Sequence, residues 1–573
     1  MERRLLLVFA LTFLIIMLFQ PLLKKYVPQP PEKPSSSQTS AGQTPAQPQM
    51  PPGAATSNAA PPSTGPVPRV APQEASSESE TVIENGLYRI VFSNRGAQVK
   101  SWVLKKYTDD HEKPLELVNA TAAEKYGYPL SLWTYDENLR NKLNSALYVP
   151  ASSSATAPAE INFVYSDSDV SVRKTFRFDH SYVVETQTSV VVRGSAVTAF
   201  PMWPSGFGDQ TNGPQYAGAQ IAYQFDNKVE QLAIKKVSGG GTLQGPFHWA
   251  GISDQYFAAV FLPQDPQNAA MVTLRNIIEI PHGGDSKQMD KVDVLGAAVG
   301  NLKGTTAARL YVGPKSLSDL ESVAVPGITG APPDLRALID FGWLGVIARP
   351  LFIWLKWMYY HIVPNWGWAI VLQTVIINIA LLPLRLYQMR YSLKMARIQP
   401  QIKAIQEKYK KYSMKDPRRQ DMQKEMWEVQ QKEGVNPVTG CLPMLLPLFL
   451  LWPYYRMLTV AIDLRHAPWL WIRDLSAPDP LPLHILAVGI IISMFVMQRM
   501  TPQAGIDPAQ QRMMNFMMPA MMGYLFWNLA AGLSLYFLAS NLMGTAQQFI
   551  MNRTALGREM REMMEKRARK KEK

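Results

Sequence analysis

NWGWAIVLQTVIINIALLPL, residues 365–384, is long enough to cross a bilayer as a helix, yet it carries Gln373, Thr374 and Asn378. On a helix Thr374 and Asn378 stack at i, i+4 with Gln373 beside them, so the polar groups form one stripe. Polar groups are costly in hydrocarbon and normally face a bundle interior or a wet cavity. The basic run PLRLYQMRYSLKMARIQPQIKAIQEKYKKY (383–412) follows with no loop signal between. A striped span leading straight into a basic helical arm predicts a protein that handles something inside a membrane.

Outward from that stretch, four further apolar segments at roughly 441–460, 482–499, 513–530 and 532–550 read as spans. Residues 385–434 hold thirteen Lys and Arg, 461–481 hold two and 552–573 hold nine. Lys- and Arg-rich loops stay cytoplasmic, so the arm and the tail at 553–573 are expected inside. The block 365–552 is then a five-helix membrane core with a cytoplasmic helical hairpin at 385–434, broken at Asp416-Pro417. Leu5–Leu23 is one more span, and no small-x-small cleavage site follows it. Residues 1–25 are therefore expected to be an uncleaved anchor, giving about six transmembrane helices with both termini cytoplasmic.

Residues 26–80 are rich in Pro, Ser, Gln, Ala and Thr, a composition that cannot bury a core and reads as a disordered tether. A coil of that length reaches roughly 40 Å. From 81 to 326 the pattern changes to short alternating runs such as GLYRIVFSNRG, INFVYSDSDVSVRKTFRF and YVVETQTSVVV. These predict a large all-β domain, an antiparallel β-sandwich, which the loop charges put outside the membrane. Residues 332–363 read as an amphipathic helix lying at the membrane interface, with Leu335, Leu338, Ile339, Trp343, Val346 and Ile347 at helical spacing.

Composition excludes several classes. The chain has 573 residues and a net charge of +13. A mean hydropathy of −0.10 averages polar and membrane-length apolar segments, and most of the positive charge lies beside the spans. The single cysteine, Cys441, can form no intrachain disulfide and no thiolate metal site. The seven histidines are scattered, and there is no HExxH, Walker loop, GxSxG or GxGxxG in a strand-to-helix context. The residues suggest no cofactor, no metal site and no catalytic residue.

Three constellations remain. In the last span Ser534, Asn541 and Gln548 fall seven apart, with Phe537 and Gly544 between them. With Gln373, Thr374 and Asn378 they either line a hydrophilic groove or act as interhelical hydrogen-bond glue worth about 0.6–2 kcal/mol each. The basic hairpin is either a solvated topology signal or a docking arm for ribosome, nascent chain or anionic lipid headgroups. Met513, Met514, Met517, Met518, Met521 and Met522 form pairs on one helix, suited to accepting varied apolar shapes or to plain packing.

PLRLYQMRYSLKMARIQPQIKAI, GVNPVTGCLPMLLPLFL, LRHAPWLWIRDLSAPDP and GLSLYFLASNLMGTAQQ, with HWAGISDQYFAAVFLP in the outer domain, resemble the YidC-type membrane protein insertase family in its Gram-negative form. The resemblance implies an insertase with no covalent chemistry in the bacterial inner membrane, its β-domain on the periplasmic side. It implies a hydrophilic groove open to cytoplasm and lipid, and nascent membrane proteins, the Sec translocon, ribosomes, targeting factors and membrane lipids as partners. It also implies that the family's groove threonine falls on Thr374, its groove arginine on Asn378, and its aromatic pair on Tyr536-Phe537. The mid-groove positive charge is thus absent here. Arg385, seven residues after Asn378 on the same face, either supplies a charge at the groove mouth or snorkels to the headgroups. Two other readings are a solute transporter, for which internal repeats are missing, and a membrane-anchored periplasmic binding protein.

Overall fold

The computed structural model describes residues 72–559 and 561–563, apart from 111, 212–218, 227, 283–284, 324–334, 411, 413–415, 435–449 and 501–507. The expected anchor at Leu5–Leu23, the tether up to residue 71, Cys441 with its NPVTGC surroundings, and most of the basic tail lie outside the described residues.

Residues 80–314 are mostly β-sheet, and helices follow. Among the described residues three sheets form, of five, ten and five strands, paired almost throughout in antiparallel fashion. Period-two patterning accounts for much of this. In Val170–Phe178 every second residue points inward, which is the signature of a half-buried strand. Phe257–Pro263 is buried at every position, so its unbroken apolar run FAAVFLP marks a strand covered on both faces. Gly251 meets that strand closely: a Cβ there would lie 2.2 Å from the Ala259 carbonyl oxygen. Phe92, in strand Tyr88–Ser93 of the first sheet, packs its ring on Phe163, Phe176 and Phe178 of the ten-stranded sheet. Lys174 sits at an inward register position and is fully buried. Its ammonium donates to the carbonyls of Gly96, Ala97 and Leu130 at 2.7, 3.1 and 2.8 Å.

The helices are α1 (Ala120–Tyr126), α2 (Glu137–Ser145), α3 (Leu317–Ser322), α4 (Gly345–His361), α5 (Trp366–Ala380), α6 (Leu382–Tyr409), α7 (Arg418–Lys432), α8 (Ile485–Met500), α9 (Pro508–Trp527) and α10 (Ala531–Arg553). Helical turns also occupy residues 450–460. Among the described residues no single helix is both long and apolar enough to cross a membrane, but α5 and α6 together are, bent by 48°. Pro383, near the start of α6, has no N–H to offer the preceding turn, which accounts for the break.

The single amphipathic helix expected over 332–363 is instead two pieces. A 3-10 turn at Leu335–Leu338 is separated from α4 by Gly342, whose φ of +70° a side chain would disfavour. The break rotates the faces apart: Leu335, Leu338 and Ile339 are buried, whereas Trp343 and Val346 are 70% and 86% exposed. The hairpin runs antiparallel, with Lys408 of α6 paired to Glu425 of α7 at 2.7 Å. Leu393 and Ala396 of α6 bury against Leu556 and Met563, and Arg397 pairs with Glu559. The chain after α10 thus lies along the base of the arm.

Sheet and helix parts meet along polar seams. Gln255 Nε2 donates to the Thr459 carbonyl at 2.8 Å, and Thr108 Oγ1 lies 2.9 Å from His466 Nδ1. Within the helix part, Lys356 of α4 pairs with Asp463 at 3.3 Å and Arg456 with Asp340 at 2.7 Å.

Candidate functional site

Asn365 starts α5 by accepting a hydrogen bond from the Trp368 N–H, and its own amide donates to the Pro468 carbonyl at 3.1 Å. That cap sets the rotation of the helix and turns Gln373, Thr374 and Asn378 inward, all at most 4% exposed. Gln373 bridges two neighbours. Its Nε2 donates to the Leu351 carbonyl of α4 at 2.9 Å, and its Oε1 accepts from the Tyr454 hydroxyl. Thr374 Oγ1 folds back onto the Ile370 carbonyl at 2.7 Å. Asn378 Nδ2 donates to the Thr374 carbonyl at 2.8 Å and to Ser540 Oγ of α10 at 3.4 Å.

Arg385 turns back toward this stripe. Its Nη2 donates to Asn378 Oδ1 at 2.9 Å, and its guanidinium lies beside Gly544. A Cβ on Gly544 would sit 2.8 Å from Arg385 Nη1, so the absence of a side chain there opens the space the cation fills. The charge is thus drawn in toward Asn378 rather than extended away along α6.

On α10 the structure separates residues that the sequence puts together. The face toward α5 and residues 450–460 carries Tyr536, Ser540, Gly544 and Gln547. Tyr536 stacks on Tyr454 at 3.9 Å between ring centres, and Gln547 Nε2 donates to the Asn378 carbonyl at 3.0 Å. The heptad set lies elsewhere. Asn541 Nδ2 donates to Ser493 Oγ of α8 at 3.4 Å, and Gln548 Nε2 donates to Asn552 at 2.9 Å. Ser534 is buried with its hydroxyl toward the Ala530 carbonyl at 3.4 Å, and Phe537 stacks on Phe526 of α9 at 4.6 Å. The reason is angular: neighbouring residues are about 100° apart on a helix, so Gln547 and Gln548 serve different faces. Of the candidates, Gln373, Thr374, Asn378, Arg385 and Tyr536 converge, while Ser534, Phe537, Asn541 and Gln548 do not join them. Tyr454, Ser540 and Gln547 belong to the cluster and were missed. The small-residue spacing Ser540-x3-Gly544 was the available signal for that face.

The methionines of α9 divide as well. Met517 and Met521 face outward, while Met518 and Met522 pack on the core. The side chains of Met513 and Met514 lie outside the described residues.

A second polar cluster lies where the sheets meet the 461–481 loop. Asp209 and Asp254 are both buried. Asp254 accepts from the N–H groups of Tyr256 and Phe257 at 2.8 and 2.6 Å. The Arg465 guanidinium lies over the rings of those two residues at 5.5 and 5.6 Å, with Asp110 3.8 Å away. Burial, reinforced by the neighbouring Asp254 charge and opposed by Arg465, holds the Asp209 carboxyl well above the usual carboxylate range. Among the described residues no group of three His, Cys, Asp or Glu is placed to hold a metal ion.

Comparison with known proteins is consistent along the chain. The family model described as the YidC periplasmic domain matches residues 80–354, and that of the 60Kd inner membrane protein matches 357–558. The membrane protein insertase YidC of Geobacter metallireducens is 31% identical over 92% of this chain and 94% of its own length. That of Geobacter sulfurreducens is 32% identical over 82% and 85%. A crystal structure of an active YidC insertase aligns with 84% of this chain and 94% of its own at 17% identity and a TM-score of 0.34, and adds nothing to the assignment. With about a third of its residues shared over almost its whole length, the chain belongs to the YidC family of membrane protein insertases.

Proposed function

We propose that this chain inserts newly made membrane proteins into the bacterial inner membrane and helps them fold, without covalent chemistry. Similarity over nearly the full length to relatives named membrane protein insertases carries the reading. We read the chain as about six spans with both termini cytoplasmic. Its parts are an anchor at 1–25, a tether at 26–80, a periplasmic β-sandwich at 81–326, an interfacial segment at 332–363, a five-helix core at 365–552 with its hairpin at 385–434, and a basic tail at 553–573. The packing of Phe92 between two sheets supports the sandwich, and the charge of the loops supports the orientation.

The groove runs between α5 and α10. A polar segment entering hydrocarbon loses its hydrogen bonds to water at about 2–7 kcal/mol per unpaired group. Asn378, Ser540, Gln547 and Arg385 offer donors and acceptors at that depth, so a client's polar tail exchanges partners instead of losing them. Across the seam Gln547 makes an ordinary bond of 3.0 Å to the Asn378 carbonyl, while Asn378 and Ser540, at 3.4 Å, lie beyond the usual range and hold it only weakly. The hairpin and tail serve as docking surfaces for ribosomes, targeting factors and lipid headgroups. The chain works alone or beside the Sec translocon.

Reconstitution of the purified chain in liposomes with a short single-span client tests this. Protease-protected insertion is expected to be faster than in protein-free liposomes; equal rates would overturn the assignment.

A further inference from the structure

The surface between the 3-10 turn at Leu335–Leu338 and the start of α4 is hollowed into a cavity of about 330 Å³, bordered by Arg336, Phe341, Gly342, Gly345 and Arg349. Asp340 also borders it, but its carboxylate is held by Arg456 at 2.7 Å and by the Gly342 N–H at 2.8 Å. Glu321 lies 3.7 Å from Arg336, both side chains largely exposed. Among the described residues that border the hollow, Arg336 and Arg349 outnumber Asp340, and Arg349 is partly buried.

The neighbouring surface is strongly apolar. Trp343 and Val346 stand out beside the cavity, and Ile353, Trp357 and Tyr360 continue the exposed line along α4. Val346, Ile353, Trp357 and Tyr360 follow one another by seven, four and three residues, so they share a helix face. Arg349 lies three after Val346 and four before Ile353, on that same face. Such a face settles at the boundary between headgroups and acyl chains, with Trp and Tyr at headgroup level. A guanidinium pair opening onto that boundary is suited to phosphate oxygens.

We propose that this cavity binds the headgroup phosphate of an anionic glycerophospholipid in the outer leaflet. Arg336 and Arg349 donate to the phosphate, and the acyl chains lie along Trp343, Val346 and Ile353. The proposal rests on the membrane orientation given above. A free phosphate ion has the same charge chemistry but makes no use of the apolar face, so lipid is the occupant to which the geometry points.

The test is native mass spectrometry of the purified full chain, titrated separately with phosphatidylglycerol, phosphatidylcholine and inorganic phosphate. The wild-type chain is expected to retain one phosphatidylglycerol more than R336Q/R349Q, with affinity for that lipid falling roughly thirtyfold, the weight of two basic groups at an anionic surface. R336K/R349K should keep most of the binding, and phosphatidylcholine should not substitute. Should R336Q/R349Q fail to fold, R349Q alone is read the same way. Equal phosphatidylglycerol retention by wild-type and variant chains would overturn the proposal, as would inorganic phosphate binding as tightly as the lipid. Retention is read without any insertion assay. A chain that inserts clients but retains no such lipid, or the reverse, separates this proposal from the assigned function.

Discussion

Arg385 reaches back across a 48° bend to give Asn378 Oδ1 a hydrogen bond of 2.9 Å. A charge seven residues down the chain is thereby brought to the polar stripe, in the space left by the missing side chain of Gly544.

If that cation attracts acidic clients, Arg385→Ala should lower insertion of a substrate with an acidic outer tail by about tenfold, the weight of one charge-assisted bond. A neutral-tailed substrate should be nearly unaffected, and Arg385→Lys should restore part of the loss. Protease protection of the two substrates in parallel is the measurement; an equal loss for both would reduce Arg385 to a structural role.

Gln373 ties α4 and Tyr454 together, through Leu351 and the Tyr454 hydroxyl. Gln373→Leu leaves the buried Tyr454 hydroxyl without its acceptor, at an expected cost of about 2 kcal/mol. Tyr454→Phe removes only that hydroxyl and keeps the stack on Tyr536, so its cost should be about half as large. Thermal unfolding midpoints in detergent order the two.

Gly367, nearly two turns before the stripe, lies against Trp469: a Cβ would fall 2.2 Å from two ring atoms. Gly367→Ala should therefore destabilise the core by about 1–3 kcal/mol through overpacking. Trimming the ring with Trp469→Leu in the same chain should make the Gly367→Ala penalty smaller than in the wild type. A strictly additive double variant would count against the contact.

The Asp209 carboxyl is held above its ordinary range by burial. In the window between its unfolded and its raised folded value the native state holds more protons than the unfolded chain. Stability therefore falls as pH rises through that window. Asp209→Asn, a neutral mimic of the protonated acid, should flatten that dependence and unfold at a higher temperature than wild type at pH 8 but not at pH 4. Parallel melting curves at the two pH values decide it.

How much of this was legible depended on period. Alternation in VSVRKTFRF showed a strand with one face inside, and the same count puts Lys174 inside among Val172 and Phe176. Its three carbonyl partners come from a turn and a loop far off in sequence, which no local pattern reveals. The short helices α1 and α2 were overlooked because each is too brief to show a 3.6-residue period. The polar stripe of α5 was readable because it lies on one helix. Its partners were not, because which face of α10 meets α5 is settled by packing, and one residue of offset exchanges Gln548 for Gln547. The break at Gly342 was missed because the apolar spacing continues across it.

The bend at Pro383 makes α6 a lever. Its 28 residues extend about 42 Å from the fulcrum, whereas Arg385 stands only about 4.5 Å along it. A swing of about 5° carries the far tip roughly 4 Å yet displaces the backbone of Arg385 by about 0.4 Å. Such a swing would first strain the contacts of Leu393, Ala396 and Arg397 with Leu556, Met563 and Glu559, and the Arg385–Asn378 bond would barely stretch. A bond so near the fulcrum is stretched only by a larger swing than the contacts farther out along α6 would tolerate.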